Sequence, residues 1–255
     1  MDLGLKNKTA IISGASGGLG RCCAEMLAAE GVNLIICSKT YDKIFAAARS
    51  ISETFGAEVV PIAADISIPE TPDKLVNEAL LKFNSVDILI NNTGISSNGK
   101  FEDLDEKELE RSFNTSLLSS IRMAQAVLPH MTFQGWGRIL NISSSITNQH
   151  FPGTIFAQSF KSAIIDLSRT LSLEVSSKGV LVNTILAGNF DTTIFRSNVK
   201  KTAKIIGKSE HAVIREIESA IPIGRIGKLE ELAWLIAFLA GERSSYITGT
   251  TIYVG

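Results

Sequence analysis

The sequence predicts a doubly wound α/β fold, with a parallel sheet of about seven strands and helices on both faces. Three observations carry that reading. Short runs rich in β-branched residues alternate with longer stretches of helical period along the whole chain. The runs are apolar nearly throughout, as strands covered on both faces must be. The connections between them are short, which favours right-handed strand–helix–strand crossovers.

The strand candidates, in order, are 9–13, 33–37, 58–63, 86–91, 138–143, 180–186 and 250–254. The first reads Thr9-Ala10-Ile11-Ile12-Ser13 and runs straight into a glycine turn that opens a helix at 18–30. The second and third alternate with helices at 41–55 and 70–83. After the fourth comes a long helical stretch at 105–134, and after the fifth another at 154–177. The apolar residues Phe113, Leu117, Ile121, Ile164 and Leu171 of these two stretches suit either a core or a subunit interface. A helix at 228–241 precedes the last strand. The stretch 188–227 fits neither period and carries Lys200, Lys201, Lys204 and Lys208. It is expected to be a helical substrate lid whose lysines form a solvated face. No repeat, low-complexity tract or linker divides the chain, so residues 1–255 are expected to form one domain.

Composition excludes several classes. Of 255 residues, 45% are apolar and 20% charged, as in a soluble globular protein. A formal net charge of -1 supplies no field for nucleic acid or an acidic membrane. The longest compact apolar run, 233–240, is too short to span a bilayer. Cys22, Cys23 and Cys37 have no metal-ligand spacing and read as reduced thiols. No secretory leader pattern precedes the first strand, so a cytoplasmic location is expected.

The turn Gly14-Ala15-Ser16-Gly17-Gly18-Leu19-Gly20 lies between the first strand and the first helix. Residues without Cβ let backbone N–H groups approach a pyrophosphate, and the helix aims its positive end at the phosphates. This is the context that a dinucleotide-binding turn requires.

From here the chain resembles the short-chain dehydrogenase/reductase family, most of all its β-ketoacyl-carrier-protein-reductase-like branch. The GxxxGxG spacing of Gly14, Gly18 and Gly20 begins the likeness, and it runs on nearly to the end. Asp65-Ile66 stands where the family holds the adenine. Asn91-Asn92-Thr93-Gly94 resembles the family's NNAG, and Asn114 its helix asparagine. Asn141-Ile142-Ser143-Ser144 closes the fifth strand. Ala187-Gly188 stands where Pro-Gly is usual, and Thr192 matches a threonine that contacts the carboxamide. Ile221-Pro222-Ile223-Gly224-Arg225 and Tyr246-Ile247-Thr248-Gly249 match C-terminal signatures. The resemblance implies a Rossmann-type sheet, a nicotinamide cofactor, a small-molecule substrate and assembly as a homodimer or homotetramer. It implies cofactor contacts from Gly14, Ser16, Gly18, Leu19, Gly20, Ser38, Lys39, Asp65, Ile66, Asn92, Thr93, Gly94, Lys161, Gly188 and Thr192. It implies no metal.

The end of the second strand reads Ile36-Cys37-Ser38-Lys39, with no carboxylate before Asp42. A carboxylate there would bind a ribose 2′-hydroxyl and repel a 2′-phosphate. Lys39, with the hydroxyls of Ser38 and Thr40, favours NADP(H), and NAD(H) stays open. Gly17 stands where similar NADP(H) enzymes often carry a basic residue.

In the family a serine polarises the carbonyl, a tyrosine donates the proton, a lysine four residues later supports the tyrosine, and an asparagine completes the relay. Ser144, Lys161 and Asn114 match three of these. Four residues before Lys161 stands Ala157, and the interval from Ser144 gives the same position. The only tyrosines are Tyr41, Tyr246 and Tyr253. General acid catalysis is worth about 10²–10⁴-fold, so a missing acid weakens an enzyme without abolishing it. His150, in the loop after the fifth strand, and Lys161 itself are candidate donors. Gln158 and Ser159 flank Ala157 and should point elsewhere. Two readings follow: an NADP(H)-dependent oxidoreductase of a carbonyl or alcohol with a non-standard donor, or a catalytically weak NAD(P)-binding sensor or partner subunit.

Overall fold

The computed structural model describes residues 1–92, 99–148 and 153–255. Its centre is one parallel seven-stranded sheet in the order β3-β2-β1-β4-β5-β6-β7. The strands are β1 (Thr9–Ser13), β2 (Asn33–Ser38), β3 (Val59–Ala63), β4 (Ile88–Asn91), β5 (Gly137–Ser144), β6 (Val180–Ala187) and β7 (Thr251–Val254). Each lies within two residues of its predicted bounds.

Side chains alternate across the sheet and fill two cores. Ile12, Leu34, Ile36, Ile88 and Ile90 face α1 (Gly18–Ala29), α2 (Tyr41–Phe55) and α9 (Leu229–Ala240). Ile11, Ile35, Leu89 and Ile139 face α3 (Thr71–Phe83), α5 (Ser119–Gln134) and the end of α6 (Ile155–Val175). Apolar residues on both faces of every central strand are thus explained by helices on both sides.

One predicted stretch differs. The stretch 105–134 is not one helix. It is α4 (Glu106–Phe113), a π turn at Asn114–Leu118, and then α5. A π turn widens the helix by one residue and loosens its hydrogen-bond ladder. Side chains take up carbonyls there: Asn114 Nδ2 donates to the Glu110 carbonyl at 2.9 Å, and Ser119 Oγ to that of Thr115 at 2.6 Å. The stretch 188–227 holds two helices, α7 (Thr193–Ile206) and α8 (Glu210–Ser219). They pack on each other through Val199, Ala203 and Val213, a small core apart from the sheet. A bridge between Phe190 and Gly227 closes the base of this excursion. Lys200, Lys201, Lys204 and Lys208 are exposed, as a solvated face requires.

Cys22, Cys23 and Cys37 are buried free thiols. Burial pushes Cys22 and Cys37 up to about 11 and Cys23 higher still, so all three remain protonated. Among the described residues no helix is long and apolar enough to cross a membrane.

Candidate active site

Chain order reverses direction between β1 and β4, and their carboxyl ends flank the crevice where such sheets bind ligands. Polar contacts fix the two ends to each other. The Asn92 backbone N–H donates to Ser13 Oγ at 3.0 Å, and Asn92 Nδ2 donates to the Gly14 carbonyl at 3.2 Å. Gly14 has φ 65°, and a Cβ on it would lie 2.3 Å from the Asn92 carbonyl oxygen. A Cβ on Gly20 would lie 2.4 Å from Asn92 Nδ2. Only glycine fits either position. The N-cap of α1 is Gly17, which supplies no side-chain cap to the first N–H groups of the helix. Ser16, Gly18 and Leu19 lie on this turn. Thr192 Cγ2 lies within 3.6 Å of where a Gly18 Cβ would stand, which brings the start of α7 over the loop.

At the next strand end, Ser38 Oγ is buried and has no hydrogen-bond partner among the described residues. Beside it, Lys39 Nζ pairs with Asp65 Oδ2 at 2.8 Å. Partial burial pushes the Asp65 carboxyl up. Hydrogen bonds from Lys39 and Ser67 outweigh that and hold it below the ordinary carboxylate range. Lys39, expected as a cation facing a phosphate, is paired with Asp65. An ammonium has three N–H donors, and this one is 59% exposed, so it can still reach a second acceptor. Ile66 is buried just beyond Asp65.

The second half of the site lies where β5 meets α6. Ser144 is the last residue of β5 and pairs with Ala187 of β6. Lys161 is buried on α6, and its Nζ donates to the Ile142 carbonyl at 3.4 Å. Burial pulls its ammonium down to about 8. Ser143 Oγ donates to the Lys161 carbonyl at 3.3 Å, so the residue before Ser144 fastens β5 to the lysine's own turn. Ala157 stands one turn earlier on the same helix face. Ser159 is exposed on another face, as expected. Phe156 and Phe160 stack at 6.0 Å, and Phe113 of α4 lies 5.6 Å from Phe160. A groove of about 410 Å³ opens at the start of α6, lined by Gly99, Phe101, Ile155 and Gln158 among others.

A family model described as enoyl-(acyl carrier protein) reductase matches residues 14–255. The chain belongs to the short-chain dehydrogenase/reductase family. It is 34% identical over 253 residues to the 3-oxoacyl-(acyl-carrier-protein) reductase of Chlamydia trachomatis, covering 98% of this chain and 96% of that one. It is 32% identical over 249 residues to the short-chain reductase protein NovJ of Streptomyces niveus, covering 98% and 93%. The structure of L-sorbose reductase from Gluconobacter frateurii complexed with NADPH and L-sorbose superposes with a TM-score of 0.94 at 30% identity, covering 100% and 97%. Actinorhodin polyketide ketoreductase with NADPH gives 0.92 at 25%, covering 97% and 95%.

In this short-chain dehydrogenase/reductase chain the fold gathers Gly14, Gly20, Asn92, Gly18 and Thr192 at one crevice, and Ser144 with Lys161 at the next strand end. Thr192 Oγ1 caps α7 by accepting from the Phe195 N–H at 3.0 Å. Gly188 packs against the chain end, its N–H donating to the Val254 carbonyl at 2.8 Å. Asn114 begins the π turn with its amide bonded back to α4. Thr93, Gly94 and His150 lie outside the described residues. A buried hydrogen-bonded chain that the sequence motifs do not reveal links β4, β5 and α6. Asn91 Nδ2 donates to Asn141 Oδ1, Asn141 Nδ2 to Ser168 Oγ, and Ser168 Oγ to the Ile164 carbonyl, at 2.8, 2.8 and 2.7 Å. Its signal was three polar residues at otherwise apolar core positions.

Proposed function

We propose that the chain is an NADP(H)-dependent oxidoreductase that interconverts a carbonyl and an alcohol, with a proton donor other than the usual tyrosine. The Ser38 Oγ next to Lys39, without a hydrogen-bond partner among the described residues, is the observation that carries the cofactor reading. A 2′-phosphate would give that hydroxyl an acceptor and would share the ammonium with Asp65, while β2 itself carries no carboxylate. The cognate reading of the L-sorbose reductase and polyketide ketoreductase complexes with NADPH agrees. Gly14, Ser16, Gly18, Leu19 and Gly20 would cradle the pyrophosphate. Asp65 and Ile66 would border the adenine, Asn92 with Thr93 and Gly94 the crevice floor, and Gly188 with Thr192 the nicotinamide side. When bound, the reduced nicotinamide supplies a hydride.

The chain's own residues do the rest. Ser144 donates a hydrogen bond to the substrate oxygen, Lys161 holds the ribose side of the site, and Asn114 shapes the turn behind it. The groove at the start of α6 would take the substrate, and the 188–227 segment would serve as its lid within the single 1–255 domain. Phe113, 38% exposed, and Leu173, 82% exposed, suit the subunit contact of a homodimer or homotetramer.

Ala157 also supports a second reading, a catalytically weak NAD(P)-binding sensor or partner subunit. One experiment separates the two. NADPH and NADH are titrated by fluorescence, and NADPH oxidation is then followed against ketoses and 3-oxoacyl thioesters. Preferred NADPH binding with formation of an alcohol product supports the oxidoreductase. Tight binding with no product supports the sensor. Failure of both cofactors to bind below about 1 mM, some 4 kcal/mol of affinity, overturns both.

A further inference from the structure

We propose that one buried water molecule is bound between Thr184 of β6 and Thr251 of β7, beneath α6, as a built part of the sheet. The inference stands apart from the oxidoreductase reading and does not depend on it.

The geometry is a rank of four polar residues across four strands. Asn91 of β4 is in register with Asn141 of β5, Asn141 with Thr184 of β6, and Thr184 with Thr251 of β7. Residues in register on neighbouring strands point to the same face of a sheet. Asn141 Nδ2 donates to Ser168 Oγ of α6, so the rank faces that helix. Val182, two residues before Thr184, packs in the core on the same side.

The two halves of the rank differ. Asn91 and Asn141 are joined to each other and to Ser168 by the bonds at 2.8 Å given above. Thr184 is fully buried, and its Oγ1 has no hydrogen-bond partner among the described residues. The same holds for the buried Oγ1 of Thr251, so the two hydroxyls do not bond each other. The helix above gives them no proton. Ser168 Oγ donates to the Ile164 carbonyl and Ser172 Oγ to the Arg169 carbonyl, both at 2.7 Å within α6. Ser172 is also fixed from below, since its Oγ stands 2.6 Å from where a Cβ on Gly249 would lie.

A buried hydroxyl without a partner is costly, and two on adjacent strands are costlier. Apolar residues would serve these positions if packing alone mattered, as Val182 and Leu186 do on the same strand. A water molecule gives two protons and accepts two, enough to join both hydroxyls and a third group. Threonine hydroxyls rotate to donate or to accept, so either orientation of the water is met. The Asn141 amide is the third partner, because it stands next in the rank and its nitrogen carries two N–H groups, of which Ser168 takes one. All of these groups are neutral. Among the described residues no cluster of His, Cys, Asp or Glu could hold a metal, so water fits the site better than a cation. β7 is paired on one side only, which leaves the edge of the sheet as the way in.

The test is a high-resolution crystal structure of the native chain, with urea unfolding of the native chain, Thr184→Val, Thr251→Val and the double variant. Expected is one ordered water about 2.8 Å from both hydroxyl oxygens. Each valine should raise the unfolding constant about fivefold, because the water and the remaining hydroxyl each lose a bond. The second valine should add less than the first, since the water is by then already released. Should Thr184→Val fail to fold, Thr251→Val on the edge strand supplies the same comparison.

The proposal is overturned by a map that shows other buried waters but none here, or by two hydroxyls bonded directly to each other. An atom at about 2.4 Å from the oxygens would be a cation and would overturn it too. So would valine variants as stable as the native chain or more so, which is the outcome for hydroxyls that bind nothing.

Discussion

Lys39 Nζ stands 2.8 Å from Asp65 Oδ2, so the ends of β2 and β3 are joined by charge beside the buried Ser38 hydroxyl, which has no hydrogen-bond partner among the described residues. The pair holds the cation at the mouth of the crevice while leaving it donors to spare. Lys39→Ala should weaken NADPH binding about tenfold, near the value of one charge-assisted contact. NADH binding should change by less than about twofold, since no 2′-phosphate is lost. Fluorescence titration of both cofactors checks this, and equal losses would contradict it.

Gly17 offers the complementary test. Its φ of -178° is extended, and nothing lies within 4 Å of where its Cβ would be. Gly17→Arg should therefore fold normally and add a cation beside the phosphates. NADPH should bind a few-fold more tightly, for about 1 kcal/mol, with little change for NADH. Tighter binding of both cofactors to the same degree would place the new charge at the pyrophosphate instead.

The buried Lys161 should leave a mark on stability. Its ammonium falls from 10.5 to about 8 through burial. Between those values the unfolded chain holds a proton that the folded chain has released, so stability rises with pH across that window. Below pH 8 the protonated amine is a constant cost of about 3 kcal/mol. Lys161→Met should therefore be more stable than the native chain below pH 8, and the difference should vanish above 10.5. Denaturant melts at pH 7, 9 and 11 check the trend, and parallel curves would contradict it.

The chain Asn91–Asn141–Ser168 ties β4, β5 and α6 behind the site. Asn141→Ala removes its middle member, taking the acceptor from the buried Asn91 amide and the donor from the Ser168 hydroxyl, which keeps its bond to the Ile164 carbonyl. The expected loss is about 3 kcal/mol of stability. Because the network fixes α6 against β5, the rate should fall more than cofactor affinity does. Urea melts with kinetics on the same variant test both statements.

The fold was legible because its determinants are local and repeated. Each strand is an apolar run, and the Gly14 turn needs glycine for steric reasons that any reader of the sequence can apply. The sequence names residues at the ends of β1, β2 and β4, but not their pairings. Lys39 was seen as a cation and Asp65 as an adenine contact, yet their ion pair depends on β2 and β3 being neighbours. The π turn was missed because Asn114 and Ser119 stabilise it through carbonyls of the same helix, a pattern that leaves the apolar period nearly intact. Likewise Val199, Ala203 and Val213 form their small core only once α7 folds back on α8, and the lysine-rich stretch hid that period.

The most direct test is NADPH-dependent reduction of a carbonyl by the native chain beside Ala157→Tyr. Restoring a phenol one turn before Lys161 should raise the chemical step by about 10²-fold. The native chain should still form product with one NADPH consumed per alcohol. NADPH binding by both chains, with product formed by neither, would contradict the claim that this site carries out hydride transfer.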